Sequence, residues 1–187
     1  PVVPANMKAV INADIARWMS DSRYFYIMHR FDVDMLQFVQ RANDEDWQTI
    51  SVSIGVKAEE TNFLLKAYSL KLRIDYITID IAHGHSLNMK EAIENVRRYY
   101  PDAYIIAGNV ATPEGVRALS DWGADCVKVG IGQGSPCTTK DKTGFTLPMF
   151  TCVWQCSGLP KNKMFEFGDE EEDIPIIADG GLSLIHI

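Results

Sequence analysis

Residues 104–129, YIIAGNVATPEGVRALSDWGADCVKV, hold two short β-rich runs on either side of one helical pattern. The runs are Tyr104-Ile105-Ile106-Ala107 and Cys126-Val127-Lys128-Val129. Their length and bounding glycine and polar residues fit strands buried on both faces of a sheet. Between them, Thr112-Pro113-Glu114 reads as an N-cap, a proline at the first helical position and an acid in the first turn. Val116 and Leu119 fall in the helix that follows, and Trp122-Gly123 ends it, glycine being the residue that takes a left-handed cap most easily. The segment is one strand–helix–strand unit.

The same unit recurs in both directions. Further strands are expected ending near Pro4-Ala5-Asn6, and at Tyr24–Met28, Ile50–Ile54, Tyr76–Asp80 and Ile174–Ala178. Helices are expected over Asp14–Met19, Val33–Val39 and Met89–Tyr99, the last with apolar residues at 89, 92, 93 and 96 on one face. Most repeats are about 25 residues long, and eight such units make a (β/α)₈ TIM barrel of about 250 residues. A doubly wound open sheet is the alternative for alternating β and α, but no Rossmann glycine fingerprint follows the first strand. The expected fold is therefore an α/β, (β/α)₈ TIM barrel, incomplete, with about seven of eight units present; seven strands alone would leave two open sheet edges.

Composition agrees with one domain. The chain has 187 residues, 47% hydrophobic and 23% charged. No apolar run reaches the ~18 residues of a membrane span. Net charge is −7 and no basic patch exists, which argues against a nucleic-acid partner. The run Asp169–Asp173 reads as a solvated acidic loop. The four cysteines, at 126, 137, 152 and 156, have no zinc spacing and suit free thiols in the cytoplasm. Cys152 and Cys156 would share one helix face as buried small side chains. The opening Pro-Val-Val-Pro lacks an initiator Met and the features of a signal peptide, so truncation at both ends is expected. Residues 1–181 are expected to form the partial barrel. Residues 182–187, which resemble a translated sequencing adaptor, are expected to be a non-native tail.

In α/β barrels, chemistry gathers at the C-terminal ends of the strands. Those ends carry Asn6, His29, Arg30, Gly55, Asp80, Asn109, the loop Gly130–Cys137, and Asp179. The loop Gly130-Ile131-Gly132-Gln133-Gly134-Ser135-Pro136-Cys137-Thr138-Thr139 is the most informative. Its alternate glycines allow close backbone approach to a phosphate or a cation. Cys137 sits in the polar setting a nucleophile needs, whereas Cys126, inside a strand, reads as structural. Asp179-Gly180-Gly181 puts an acid and two glycines at a strand end, although turns use the same residues. His83-Gly84-His85 lacks a third ligand and reads as a solvated loop rather than a metal site.

Five segments taken in order carry a resemblance: Pro1–Met7, Asp80–Ser86, Ala107–Thr112, Val129–Thr139 and Ile176–Gly181. Together they are similar to the IMP dehydrogenase/GMP reductase family over nearly all of residues 1–181. Met28-His29-Arg30-Phe31-Asp32 and Lys142-Thr143-Gly144-Phe145 look like the bacterial-type GMP reductase branch. So does the short crossover after Arg30, where IMP dehydrogenases usually carry an inserted regulatory domain. The resemblance implies an NADPH-dependent oxidoreductase converting GMP to IMP and ammonia, with Cys137 as nucleophile forming a thioimidate and Thr139 paired with a Glu for proton transfer. It implies Asp179, Gly180 and Gly181 for substrate; Arg30, Asp80, Ile81, Ala82, Asn109 and Ile131 for the cofactor; and backbone carbonyls of Gly132, Gly134 and Cys137 for a monovalent cation, K⁺. A cytoplasmic homotetramer is the family expectation. The alternatives are an IMP dehydrogenase using NAD, or an inactive fragment, since the partner Glu and the eighth strand would lie beyond residue 187. Departures are Gln133 in place of the usual proline, Thr146–Met149 in place of a glycine-rich stretch, and a long connection from Ser157 to Asp173.

Overall fold

The computed structural model describes residues 2–134, 139–161 and 172–182. The elements, in chain order, are α1 (Ala13–Asp21), α2 (Met35–Asp44), β1 (Ser51–Ile54), α3 (Ala58–Ser69), β2 (Tyr76–Asp80), α4 (Leu87–Tyr99) and β3 (Tyr104–Val110), followed by α5 (Pro113–Asp121), β4 (Cys126–Val129), α6 (Thr139–Thr143), α7 (Met149–Cys156) and β5 (Ile176–Ala178). The strands are ordered β1-β2-β3-β4-β5 in one sheet. Helices separate all consecutive strands, as an incomplete α/β barrel requires. The chain divides into two compact units, Pro1–Asp80 with Glu91–Ile105, and Ile81–Lys90 with Ile106–Ile187.

In the first unit, β1 pairs parallel with β2 from Ser51↔Tyr76 to Ile54↔Ile79. Both faces of these strands are covered: Val52, Ile77 and Ile79 are fully buried, and so are the polar Ser51, Ser53 and Thr78. Phe38 meets Trp47 edge-on at 5.5 Å, and the buried Trp47 satisfies its indole N–H on Glu45, 2.9 Å away. Helix starts follow local capping chemistry. Asn12 accepts from the backbone N–H of Ile15, and Asp34 from that of Gln37. At α3, Glu60 accepts from the backbone N–H of Lys57, 3.0 Å away.

Two strands expected in this unit are not formed. Tyr26, Ile27 and Met28 are buried as a strand would be, but only Met28 makes a parallel bridge, to Val52. The Tyr26 hydroxyl takes the place of the ladder, donating to the Thr49 carbonyl and accepting from the Ser51 N–H. The segment before Asn6 turns instead of pairing: the Met7 N–H donates to the Ala5 carbonyl, and Pro4 has no N–H to offer a neighbour. Among the described residues, five ladder strands and the Met28 bridge thus stand where seven strands were expected.

In the second unit, β3 pairs parallel with β4, and β4 with β5. A bulge between Gly108 and Val110 breaks the register of β3 and so re-aims Asn109. The predicted cap of α5 is present, with the Thr112 hydroxyl accepting from Gly115 N–H and Pro113 opening the helix. Gly123 has a φ of 110° and ends it. Helix α7 contacts α5, β4 and β5 and buries Met149, Cys152 and Cys156, so the two cysteines do share a face. Pro175 cannot donate, which trims β5 to Ile176–Ala178, though its carbonyl still accepts from Val127 N–H.

Candidate functional site

The residues singled out at strand ends fall into two sets, one in each unit. In the first unit, the Arg30 guanidinium donates to the Glu60 carboxylate at 2.9 Å and reaches the Asp80 carbonyl at 3.4 Å. It also lies 4.9 Å from the centre of the Phe31 ring. The Asn6 amide donates to the Asp80 carboxylate at 2.5 Å. A Cβ on Gly55, after β1, would lie 2.6 Å from a Glu60 carboxylate oxygen. His29 is buried and its Nδ1 accepts from the Phe31 N–H, a local turn. The sequence brought Asn6, Arg30, Gly55 and Asp80 forward but passed over Glu60, which reads there as a surface helix acid.

In the second unit, Asp179 follows β5 and is the centre of a polar network. Its carboxylate accepts from the Asn109 amide at 2.5 Å and faces the Lys128 ammonium at 3.4 Å, both on Oδ2. Its backbone carbonyl accepts from the Gln133 amide at 3.0 Å. Asn109 also donates to the Gly130 carbonyl at 2.8 Å. With acceptors on both sides, the NH₂ end of Asn109 is fixed, and its Oδ1 is left buried with no partner among the described residues. The same is true of Gln133 Oε1. Buried acceptors without donors are costly, and a ligand carrying N–H or O–H groups would satisfy them.

Around this network, Gly132 has a φ of 76°, and a Cβ on it would lie 2.8 Å from the Phe145 carbonyl. Gly180 and Gly181 have φ of 72° and 70°. Any side chain at 181 would strike Gln133. Ile131 is buried, Ile81 and Gly134 are half-buried, and Ala82 is exposed. The Ile81 N–H and carbonyl bond the carbonyl of Gly108 and the N–H of Asn109. Cys137 lies outside the described residues. Thr139 opens α6, and its side chain also lies outside the description. His83 and His85 are exposed, with the His85 ring 5.9 Å from that of Trp122; no group of three metal-ligating side chains occurs among the described residues. Lys128 was missed, although a lone charge inside Cys126-Val127-Lys128-Val129 was the available signal.

Two of the described cysteines, Cys126 and Cys156, are held as thiols. Burial pushes the Cys126 thiol up to about 11. Cys156 is also raised, by its hydrogen bond with Cys152 and by burial. Low thiolate content removes nucleophilicity. Among the described residues, no helix is long and apolar enough to cross a membrane.

Comparison with known proteins gives a consistent picture. The family model "IMP dehydrogenase / GMP reductase domain" matches residues 1–186. The chain is similar to the GMP reductases of Staphylococcus epidermidis and Helicobacter pylori, each 46% identical over 183 residues, 97% of this chain and 53% of the relative. It is 45% identical to that of Mesoplasma florum, covering 54% of it. The chain thus spans about half the length of the curated relatives it matches. Among solved structures, it is similar to inosine 5′-monophosphate dehydrogenase from Legionella pneumophila, with a TM-score of 0.77 and 31% identity over 98% of this chain and 51% of that one.

Proposed function

Because the chain belongs to the IMP dehydrogenase/GMP reductase family, we propose that the protein is a GMP reductase. In this reading GMP, NADPH and two protons become IMP, NADP⁺ and ammonium. The observation that carries the reading is identity of 45–46% to GMP reductases along 97% of this chain. The crossover from Met28 to β1 supports it, since it holds one ordinary helix, α2, and no inserted domain.

Cys137 attacks C2 of the purine, forming a C–S bond as the C2 amine takes a proton and leaves. Thr139, paired with a Glu, carries that proton. Splitting one substitution into two steps is what a covalent thioimidate offers. Asp179 accepts from the ribose hydroxyls, and the left-handed backbone of Gly180 and Gly181 admits the phosphate.

The cofactor positions are Arg30, Asp80, Ile81, Ala82, Asn109 and Ile131. The unpartnered Oδ1 of Asn109 fits a carboxamide N–H. Bound NADPH would supply the reducing equivalent at C2. A Cβ on Gly132 would lie 2.8 Å from the Phe145 carbonyl, so glycine keeps a backbone oxygen of the kind a cation takes open at this loop. Carbonyls of Gly132, Gly134 and Cys137 would hold K⁺, which would neutralise loop dipoles. The working protein is a cytoplasmic homotetramer.

The test is loss of NADPH absorbance on adding GMP, beside a Cys137→Ala variant. Turnover to IMP that the variant abolishes is expected. NADH formation from IMP and NAD, with none from GMP, would move the protein to the dehydrogenase, the reading that the Legionella pneumophila likeness favours.

A further inference from the structure

We infer that Lys128 is a positioning residue for nucleotide binding: it fixes the Asp179 carboxylate in the orientation that receives a ribose diol. The inference rests on the reading of Asp179 as the ribose acceptor.

Lys128 lies in the middle of β4, where all four residues are buried. Its side chain is 4% exposed. An ammonium withdrawn from water this far costs several kcal/mol unless a charge and hydrogen bonds replace the hydration. Lysine in such a strand is therefore unfavourable for the fold alone, and an apolar residue would serve the core better. One such partner is Asp179 Oδ2, at 3.4 Å. Asp179 is the more open member, with 35% of its side chain exposed, so one end of the pair is anchored in the sheet and the other faces outward.

The surroundings hold that geometry from several directions. Gly108 on β3 lies against Lys128 so closely that a Cβ would be 2.6 Å from both the Lys128 Cβ and its carbonyl oxygen. This contact sets where the lysine stem leaves the sheet. The Gln133 amide holds the Asp179 carbonyl, and the Asp179 N–H donates to the Val129 carbonyl at 3.0 Å. With the backbone of Asp179 tied at both groups, the remaining freedom is rotation of its side chain. Lys128 and Asn109 both act on Oδ2. Engaging one oxygen from two sides leaves Oδ1 to accept from vicinal hydroxyls, a hydrogen bond strengthened by charge.

The test uses the intact protein with Lys128→Met, Lys128→Arg, Asp179→Asn and the Lys128→Met/Asp179→Asn double variant. Steady-state constants are measured for GMP and 2′-deoxy-GMP, with melting temperature as the control for folding. The expected result for Lys128→Met is a KM for GMP raised about tenfold or more, the effect of losing one charge-assisted hydrogen bond. The KM for NADPH stays near the wild-type value and kcat changes much less. The preference for GMP over the 2′-deoxy nucleotide shrinks, Lys128→Arg restores most of it, and the double variant is no worse than Asp179→Asn alone. A Lys128→Met variant that keeps full ribose discrimination overturns the proposal. So does a double variant whose losses add, or an Asp179→Asn variant that discriminates normally, a result that stands even if Lys128→Met fails to fold. If the wild type oxidises IMP instead, the same variants are read with IMP and 2′-deoxy-IMP, because the ribose is shared. A wild type that binds neither nucleotide removes the reading of the site, an outcome visible before any variant is made.

Discussion

Arg30 and Glu60 meet at 2.9 Å in the first unit with 28% and 19% of their side chains exposed; Lys128 and Asp179 meet at 3.4 Å in the second, where the lysine is almost wholly enclosed. The two pairs are constrained differently. Arg30 is a long side chain resting on the Phe31 ring, held by Glu60, a helix acid that also accepts from the Lys57 N–H. Lys128 is fixed in a strand, under a glycine that admits nothing larger. The first arrangement can adjust when a ligand arrives, while the second is set in advance. Pre-organised groups lose less entropy on binding, so the rigid pair suits an acceptor with one required geometry.

Two glycine substitutions bring out the contrast. Gly108→Ala places a methyl 2.6 Å from the backbone oxygen of Lys128. Backbone in a sheet cannot move aside locally, and a loss of about 3 kcal/mol, at the upper end for overpacking, is expected. Gly55→Ala meets only the carboxylate end of Glu60, also at 2.6 Å. That side chain can rotate away, giving up its bonds to Arg30 and to the Lys57 N–H, so a smaller loss of about 1–2 kcal/mol is expected. Urea midpoints of the two variants measure the difference. Equal losses would mean that the first unit is as rigid as the second.

Alkaline pH separates the units by a smaller amount. The Cys126 thiol in β4 titrates near 11 in the folded chain, against an ordinary value of 9.0. Its folded pKa is raised, so its contribution is fully present below pH 9 and is lost as pH rises to 11, because the unfolded thiol ionises first. The loss is on the order of 2 kcal/mol. In the first unit, burial raises Tyr26 and pushes Tyr100 up to about 12, both from 10.0. The same sign holds there, but the loss begins about one unit higher. Urea unfolding at pH 8, 9.5 and 10.5 should show stability already falling at 9.5. A Cys126→Ala variant should have a flatter profile between pH 9 and 11. An unchanged profile in that variant would assign the alkaline loss to Cys156 and the tyrosines instead.

The second unit was also the more legible in the sequence. Thr112-Pro113, Gly123 and the run from Tyr104 mark their elements with residues whose backbone preferences leave little choice. In the first unit the stops are less visible. Helices α1 and α3 run into Arg23 and Lys71, both with positive φ and neither a glycine, and α3 buries only Leu64 and Ala67. The expected strand at Tyr24–Met28 failed because a tyrosine hydroxyl replaced the ladder partner, a tertiary effect that no local pattern carries. At the site, Asp179 and Asn109 were readable as polar residues ending apolar runs. Lys128 was hidden because Asp179, which it faces, is 51 positions away, and Glu60 because a helix acid normally means only solvent.

The smallest effect belongs to Lys8 and Asp32, 2.8 Å apart and 67% and 78% exposed. The Lys8 ammonium, by hydrogen bond first and then by charge, holds the Asp32 carboxyl below the ordinary 3.8. A lowered folded pKa means that any contribution is present above the ordinary carboxylate range and disappears as pH falls through the lowered value. Exposed pairs are screened by salt and offset by the entropy of holding two long side chains. Lys8→Ala should therefore return the Asp32 titration to the ordinary range, followed by NMR of its side-chain carboxyl, and leave the melting midpoint at pH 7 where it was. A midpoint that drops by several degrees would show that ordering of the chain around Asp32, whose φ is 53°, depends on this contact. Lys8–Asp32 and Arg30–Glu60 would then differ less from the buried pair of the second unit than their exposure implies.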